Sequence, residues 1–475
     1  MIAALPAFGT PMGEAARAAL VLSAFFVLVI AAELWHRRLH PPIEWTRKLV
    51  HFGAGLLACA FPWWFDSPWT LLAVAATGGA PIFVARARGG LQSIFGVERR
   101  SFGDVYFPIA IFILFLVGRH TPVFYVVALL TLVVADALAA VLGRAYGKHR
   151  YRVTTEQRSL EGSAVFLFVT FLVVHLPLLL ATNIERGACV LMAAQIALLV
   201  GSFEAIGTQG SDNLFVPLGA YYLLTKLTPK PLEAIVVQIL VQMAILMLML
   251  WISRRTRFFS FSGAIAAHLM LYAAFSLGGP SWIVAPALAL TVAMVLEQRR
   301  VARMRRPASA DHDVAVIFYV SVVAVLLIFA DNTFSTALAR SSALRGWHPF
   351  LGPYVGSLSG AIAIVAYLGL ESSPRVRHRS PAWRALASGL IGFGVVAPLG
   401  LWASRGAGRV GIEFGTAAVL SAVAMLVFLA LRRGFAQPPG TGWNLRYLAL
   451  SVLAATLITM PLHFHWIQAG AWALR

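Results

Sequence analysis

The residues best equipped for chemistry lie between Val134 and Ser163, in the stretch VADALAAVLGRAYGKHRYRVTTEQRSLEGS. Asp136 is a lone carboxylate inside an apolar run. That run gives way at Gly143 and Gly147 to a loop carrying Arg144, Lys148, Arg150, Arg152 and Arg158 against Glu156. Apolar sequence resumes behind Leu160-Glu161-Gly162-Ser163. A buried acid, glycines and a basic loop at one membrane face are what phosphate handling needs. Cations hold the anionic oxygens, glycines let backbone N–H groups approach, and carboxylates can hold a metal. A basic loop is equally what anchors a helix end on the inner side of a membrane. Anchoring accounts for the arginines but not for Asp136, because a carboxylate at membrane depth is costly.

The elements that must position these residues follow from composition. Of 475 residues, 59% are hydrophobic and 12% charged. Apolar runs of roughly 15 to 22 residues recur along the whole chain, more than one soluble core can bury. The expected fold is an all-α polytopic integral membrane protein with about sixteen transmembrane helices. The formal net charge of +19 sits in short loops, which reads as topology and contact with anionic membrane lipids. No basic stripe interleaved with exposed aromatics points to nucleic acid as a partner. Cys59 and Cys189 lie in apolar runs without a CxxC pair, and imply neither a disulfide framework nor a zinc site. The run from Ala16 to Ala32 lacks a basic n-region and reads as a true span.

Threading the spans with the N-terminus outside puts 36–48, 86–100, 143–162, 254–257, 298–306, 375–384 and 432–446 on one side. Nearly every basic cluster falls there, with Arg405 and Arg409 excepted. That is the positive-inside pattern, and it places the basic face in the cytoplasm of a bacterial inner membrane. The same threading gathers the polar oddities of the first half on that face. Arg47, Lys48 and His51 open the second span, and Ser101 and Asp104 precede the fourth. Asp136 stands about two turns above the exit of the fifth. Glu204 lies near the exit of the seventh, ahead of Asp212-Asn213. Plainer readings exist: Arg47 and Lys48 as anchors, His51 as a core histidine, Asp104 or Asp212-Asn213 as helix caps. Glu204, like Asp136, is an acid among apolar neighbours.

These residues fall into four blocks: Arg47-Lys48-Leu49-Val50-His51, then Asp136-Ala137 with Gly143 and Gly147-Lys148, then Ser159-Leu160-Glu161-Gly162-Ser163, then Glu204-Ala205 with Asp212-Asn213-Leu214 and Pro217. In that order, over roughly Trp45 to Lys226, the chain resembles the polyprenol kinases, the group of dolichol, phytol and farnesol kinases. Arg158 stands where family members often carry Lys, which keeps the charge but makes it a forked guanidinium. The resemblance implies phosphorylation of a long isoprenoid alcohol by a nucleoside triphosphate, with CTP as the expected donor and Mg2+ as the metal. Residue reading and resemblance together assign Asp136, Glu161, Lys48 and His51 to catalysis. They assign Arg47, Gly143, Gly147, Lys148, Arg158, Ser159, Gly162, Ser163 and Asn213 to substrate or nucleotide binding, and Asp136, Glu204 and Asp212 to the metal. The partners implied are nucleotide, isoprenoid alcohol and membrane lipids, with a homodimer left open.

Two membrane domains are expected, 1–252 and 253–475. The second opens on Arg257-Phe258-Phe259-Ser260-Phe261-Ser262-Gly263-Ala264 with Gly278-Gly279, and resembles the family containing plant phytyl-phosphate kinase. Its segment Ala330-Asp331-Asn332-Thr333-Phe334-Ser335-Thr336 keeps the family's Asp and Ser but has Thr336 where the family has Glu. A half that only packs or binds lipid is the competing reading. For the whole chain two alternatives compete. A cytidylyltransferase related to CDP-diglyceride synthetase would need Lys-Asp and Gly-His-Gly-Gly segments that the sequence lacks. A lipid or isoprenoid transporter would want charges lining a path through the bilayer, whereas the first-half acids gather at one face.

Overall fold

The computed structural model describes residues 13–88, 91, 102–154, 156–256, 258–304, 313–338, 348–373, 375–376, 378–403, 410–434 and 441–472. Ser101, Arg257, Arg405 and Arg409, each singled out above, lie outside the described residues. Among those described, eleven helices are long and apolar enough to cross a membrane. Two shorter apolar helices, Gly103–Gly118 and Pro280–Leu296, accompany them. Helix is the form such runs must take, because lipid offers no partner to an unpaired backbone N–H or C=O. The protein is a multi-pass membrane protein, and eleven helices among the described residues meet that length and hydropathy, against about sixteen expected. Ile43–Cys59 is only 17 residues long and opens on Glu44, Arg47 and Lys48. Asp212–Leu227 has 16 residues.

The chain divides into two compact units, Met1–Leu240 and Val241–Arg475. The division falls inside one helix, Leu232–Thr256, whose far end holds the 252/253 boundary expected from sequence.

In the first unit the order is α1 (Glu14–Leu39), α2 (Ile43–Cys59), α3 (Phe61–Trp64), α4 (Pro68–Ala87), α5 (Gly103–Gly118) and α6 (Pro122–Leu130). A π-helical turn, Thr131–Ala135, then leads into α7 (Asp136–Tyr146). A two-stranded hairpin follows, β1 (Arg150–Val153) and β2 (Glu156–Ser159), then α8 (Leu160–Ala181), α9 (Arg186–Ile206), α10 (Asp212–Leu227) and α11 (Leu232–Thr256). Helix α9 forms the centre. Its Ala193, Ile196, Ala197 and Val200 are fully buried, and it packs on α8 and α10, while α7 packs on α8 and α2 reaches the π turn and α7.

The hairpin is a departure from an all-helical fold. Antiparallel pairing sets Tyr151 opposite Arg158 and Val153 opposite Glu156. Alternation along each strand turns those four towards the bundle and leaves Arg150, Arg152 and Gln157 exposed. The basic loop is therefore an ordered lid on one end of the bundle.

In the second unit α13 (Val284–Met304), α14 (Val314–Leu338), α16 (Pro381–Ala403), α17 (Val410–Gly434) and α18 (Thr441–Trp472) pack on the buried helix α15 (Leu351–Glu371), and α12 (Phe261–Ala273) packs on α14. Gly352, Gly356 and Gly360 place α15 directly on α17. A Cβ at Gly356 would stand 2.8 Å from the Ala417 Cα. Small residues at this spacing let two membrane helices touch backbone to backbone.

Candidate active site

Elements α2, α7, β2, α9 and α10 of the first unit converge at the end of the bundle capped by the hairpin. From α2, the Lys48 ammonium donates to the Asp136 carboxylate at the start of α7, forming an ion pair between residues 88 apart in sequence. Both side chains are about nine-tenths buried, with 10% and 12% of their surface exposed. The π turn lies immediately before Asp136. Such a turn carries one residue more than α geometry, and turns the helix that follows to a new face. Arg47 forms a second pair on the same helix, its Nη2 donating to Glu44 Oε1 at 2.5 Å. It also lies within electrostatic range of Asp136 and Asp212.

The hairpin supplies the third cation. Arg158 donates from Nη1 to Glu204 at the end of α9, and from Nη2 to Asp212 Oδ2 at 3.0 Å and to the Gly207 carbonyl at 2.8 Å. Burial opposes its charge, but the two carboxylates more than offset that and hold the guanidinium above its ordinary pKa. Tyr151, beside it on the inner face, places its hydroxyl 2.9 Å from Ser163 Oγ and donates to the Ala205 carbonyl at 3.1 Å. Burial first, and then the Glu204 carboxylate, push that phenol up to about 12. Glu156 Oε1 accepts from the Gln209 backbone at 2.9 Å, and the Gln209 carbonyl accepts from Phe102 N at 2.9 Å. The hairpin thereby clamps the 204–213 turn, in which Gln209 and Gly210 take positive φ angles of 54° and 81°.

His51 lies one turn along α2 from Lys48. Its ring packs tilted by 42° against Phe107 with ring centres 4.2 Å apart, its Nε2 buried and without a hydrogen-bond partner. Asp136 and Asp212 lie within electrostatic range of it, and Asp136 within range of Glu204. The structure thus gathers Arg47, Lys48, His51, Asp136, Arg158, Glu204 and Asp212 at one end of the bundle. Ser163 joins through a long contact to Glu204 at 3.5 Å. Asn213 is buried and donates from Nδ2 to the Gly103 carbonyl at 3.1 Å, which ties α10 to α5.

Other expected site residues stand apart. Glu161 turns to His149, accepting from its backbone N and lying 2.7 Å from Nδ1, and Lys148 is exposed. Gly143, Gly147 and Gly162 pack where α7 crosses the start of α8. A Cβ on Gly147 would fall 2.2 Å from the Gly143 carbonyl and 2.7 Å from Ser159 Oγ, and one on Gly143 would fall 2.9 Å from the Gly162 Cα. Ser159 caps α8, accepting from Gly162 N at 3.1 Å. These residues build the joint between α7, the hairpin and α8. Asp104 does not cap α5, because the cap position is Phe102. Tyr151 and Glu156 were not picked out from sequence. The alternation Tyr151, Val153 and Glu156, Arg158 was the signal for them, hidden by the overall charge of the loop.

The oxygen donors suit magnesium, but among the described residues no three His, Cys, Asp or Glu side chains come together tightly enough to cage a metal. Asp136 belongs to Lys48, while Glu204 and Asp212 share Arg158. The set fits a cation that arrives on phosphate oxygens and needs one or two carboxylates, and it does not fit an all-protein cage.

Against known proteins, the chain is 34% identical over 199 residues to the phytol kinase of Synechocystis sp. (strain ATCC 27184 / PCC 6803 / Kazusa), a match covering 41% of this chain and 83% of that kinase. The chain belongs to the polyprenol and phytol kinase family. That is a family of isoprenoid-alcohol kinases, and the cationic cluster suits such chemistry. No family model matches the chain, and no solved structure does.

Proposed function

We propose that the protein transfers the terminal phosphoryl group of a nucleoside triphosphate to the hydroxyl of a long-chain isoprenoid alcohol: phytol, farnesol, geranylgeraniol or a polyprenol. Its site faces the cytoplasm of a bacterial inner membrane. The observation that carries this reading is the convergence of the Lys48–Asp136 pair and the Arg158–Glu204–Asp212 group at one end of a membrane bundle. There an alcohol can keep its tail in lipid and still present its hydroxyl to a soluble nucleotide. CTP is the donor that the family resemblance implies.

Phosphoryl transfer asks a protein mainly to position groups and neutralise charge. Lys48, Arg47 and Arg158 bind the phosphate oxygens, which are stronger ligands than the carboxylates the cations hold in the resting protein. The alcohol oxygen attacks the terminal phosphorus, the bond to the nucleoside diphosphate breaks, and the hydroxyl proton passes to His51. Glu204 and Asp212 would hold Mg2+ brought with the nucleotide, which neutralises charge on the transferred group.

Purified protein should be offered each alcohol with CTP, ATP, GTP and UTP in turn, and the labelled phosphate ester measured. Formation of an isoprenoid monophosphate that requires Mg2+ supports the reading. Absence of ester with every pair, from protein that still binds nucleotide, overturns it.

A further inference from the structure

We propose that the second unit carries a separate binding site for the phosphate group of a membrane amphiphile, where the ends of α15 and α17 meet the start of α16. Here two arginines face one carboxylate. Arg432 Nη1 donates to Glu371 Oε2 at 2.7 Å, whereas Arg384 Nη1 stands 3.9 Å from Glu371 Oε1. Among the described residues Glu371 is the only carboxylate paired with either guanidinium, so the group carries a surplus positive charge.

Arg384 is the more telling of the two. Only 10% of its side chain is exposed, and no side-chain hydrogen bond satisfies it among the described residues. The Nε atoms of Arg384 and Arg432 are both buried without an acceptor. Buried donors left unpaired are costly, and those on a charge most of all. A fixed fork of N–H groups is matched by the oxygens of a phosphate.

The guanidiniums stand over aromatic rings, Arg384 Cζ 5.4 Å from the Tyr367 ring centre and Arg432 Cζ 5.7 Å from that of Phe428. Glu371 ends one span, Arg384 opens the next and Arg432 lies in the last turn of a third. The cluster therefore sits at headgroup depth, with Arg375, Arg379 and Arg433 exposed on the same end.

The shared chemistry is a phosphate on a hydrocarbon anchor. It has two sources: an anionic lipid headgroup, or the isoprenoid monophosphate formed by the first unit, which rests on the function proposed above.

The test is binding of radiolabelled farnesyl monophosphate to the purified full-length protein in detergent, with no nucleotide present. A failure of the kinase reading therefore leaves its result intact. Saturable binding is expected, with Kd raised at least about ten-fold by Arg384→Gln and by Arg432→Gln, and lowered by Glu371→Gln, which removes the competing anion. Arg384→Gln should keep alcohol phosphorylation and an unchanged Tm. Arg384→Lys, which keeps the charge but not the fork, should fold and bind more weakly. Displacement of the label by dioleoyl phosphatidic acid identifies the headgroup source, and displacement by isoprenoid phosphate alone identifies the other. The proposal is overturned by an unchanged Kd in both arginine variants, or by loss of binding in Lys48→Ala with none in Arg384→Gln.

Discussion

Asp136 and Lys48 are the residues whose replacement separates chemistry from stability. From sequence alone, Asp136→Asn would be expected to stop turnover and leave stability near wild type. The buried pair changes that expectation, because removing the carboxylate strands the Lys48 ammonium. Breaking such a pair costs about 3–5 kcal/mol, whereas replacing both members by apolar groups is often neutral. Asp136→Asn should lower Tm and cut turnover by more than about ten-fold. Lys48→Met/Asp136→Leu should recover much of the Tm and none of the activity. Thermal melts and turnover of the three proteins check both halves, and activity in the double variant would remove the pair from the mechanism. At Arg158 the fork matters as much as the charge. Arg158→Lys cannot span Glu204, Asp212 and the Gly207 carbonyl together. It should raise KM for nucleotide by about ten-fold while KM for the alcohol changes little.

At the scale of elements, the joint between α7, the hairpin and α8 decides whether the site forms. A Cβ on Gly147 lands among backbone and Ser159 atoms, so Gly147→Ala should cost about 1–3 kcal/mol and displace the strand bearing Arg158. Gly79→Ala, with nothing within 4 Å of its Cβ on α4, should leave stability and turnover unchanged. Comparing the two variants for melting and nucleotide binding tests whether the glycine serves packing. In the second unit the α14–α15 connection is tied by Asp331, which contacts His348 Nδ1 at 2.6 Å and accepts from Phe350 N at 3.0 Å. The hydrogen bond to Asp331, opposed by burial, raises the His348 pKa. A raised imidazole value stabilises fully below the ordinary pKa of about 6.5, and that stabilisation is lost as pH rises through the folded value. Tm should therefore fall as pH rises above about 6.5 in wild type, and fall less in His348→Gln.

For the whole molecule, the first unit contains every residue of the gathered site, and α11 continues past its boundary to Thr256. A protein ending at Thr256 should fold in detergent and keep alcohol phosphorylation. A folded, nucleotide-binding truncation that makes no monophosphate would show that the second unit is needed for the reaction. Asp331 is engaged in tying a helix start, with His463 Nε2 close by on the Pro349 carbonyl at 2.6 Å. Asp331→Asn in the full-length protein should consequently lower stability without accumulating monophosphate, as measured by product analysis beside Asp136→Asn.

The sequence by itself determined the membrane class and the identity of most of the gathered residues. It could do so because hydropathy and charge are local properties, and a carboxylate in an apolar run stands out wherever it lies. Only the tertiary structure decided the pairings. Lys48 with Asp136, and Arg158 with Glu204 and Asp212, join residues on different spans, and no local pattern records which helix faces which. The π turn before Asp136 and the burial of Tyr151 and Glu156 were hidden for the same reason. The glycines were legible as glycines, but whether they receive a phosphate or a neighbouring helix depends on what stands opposite them. At Gly147 that neighbour is Ser159, brought there by the fold.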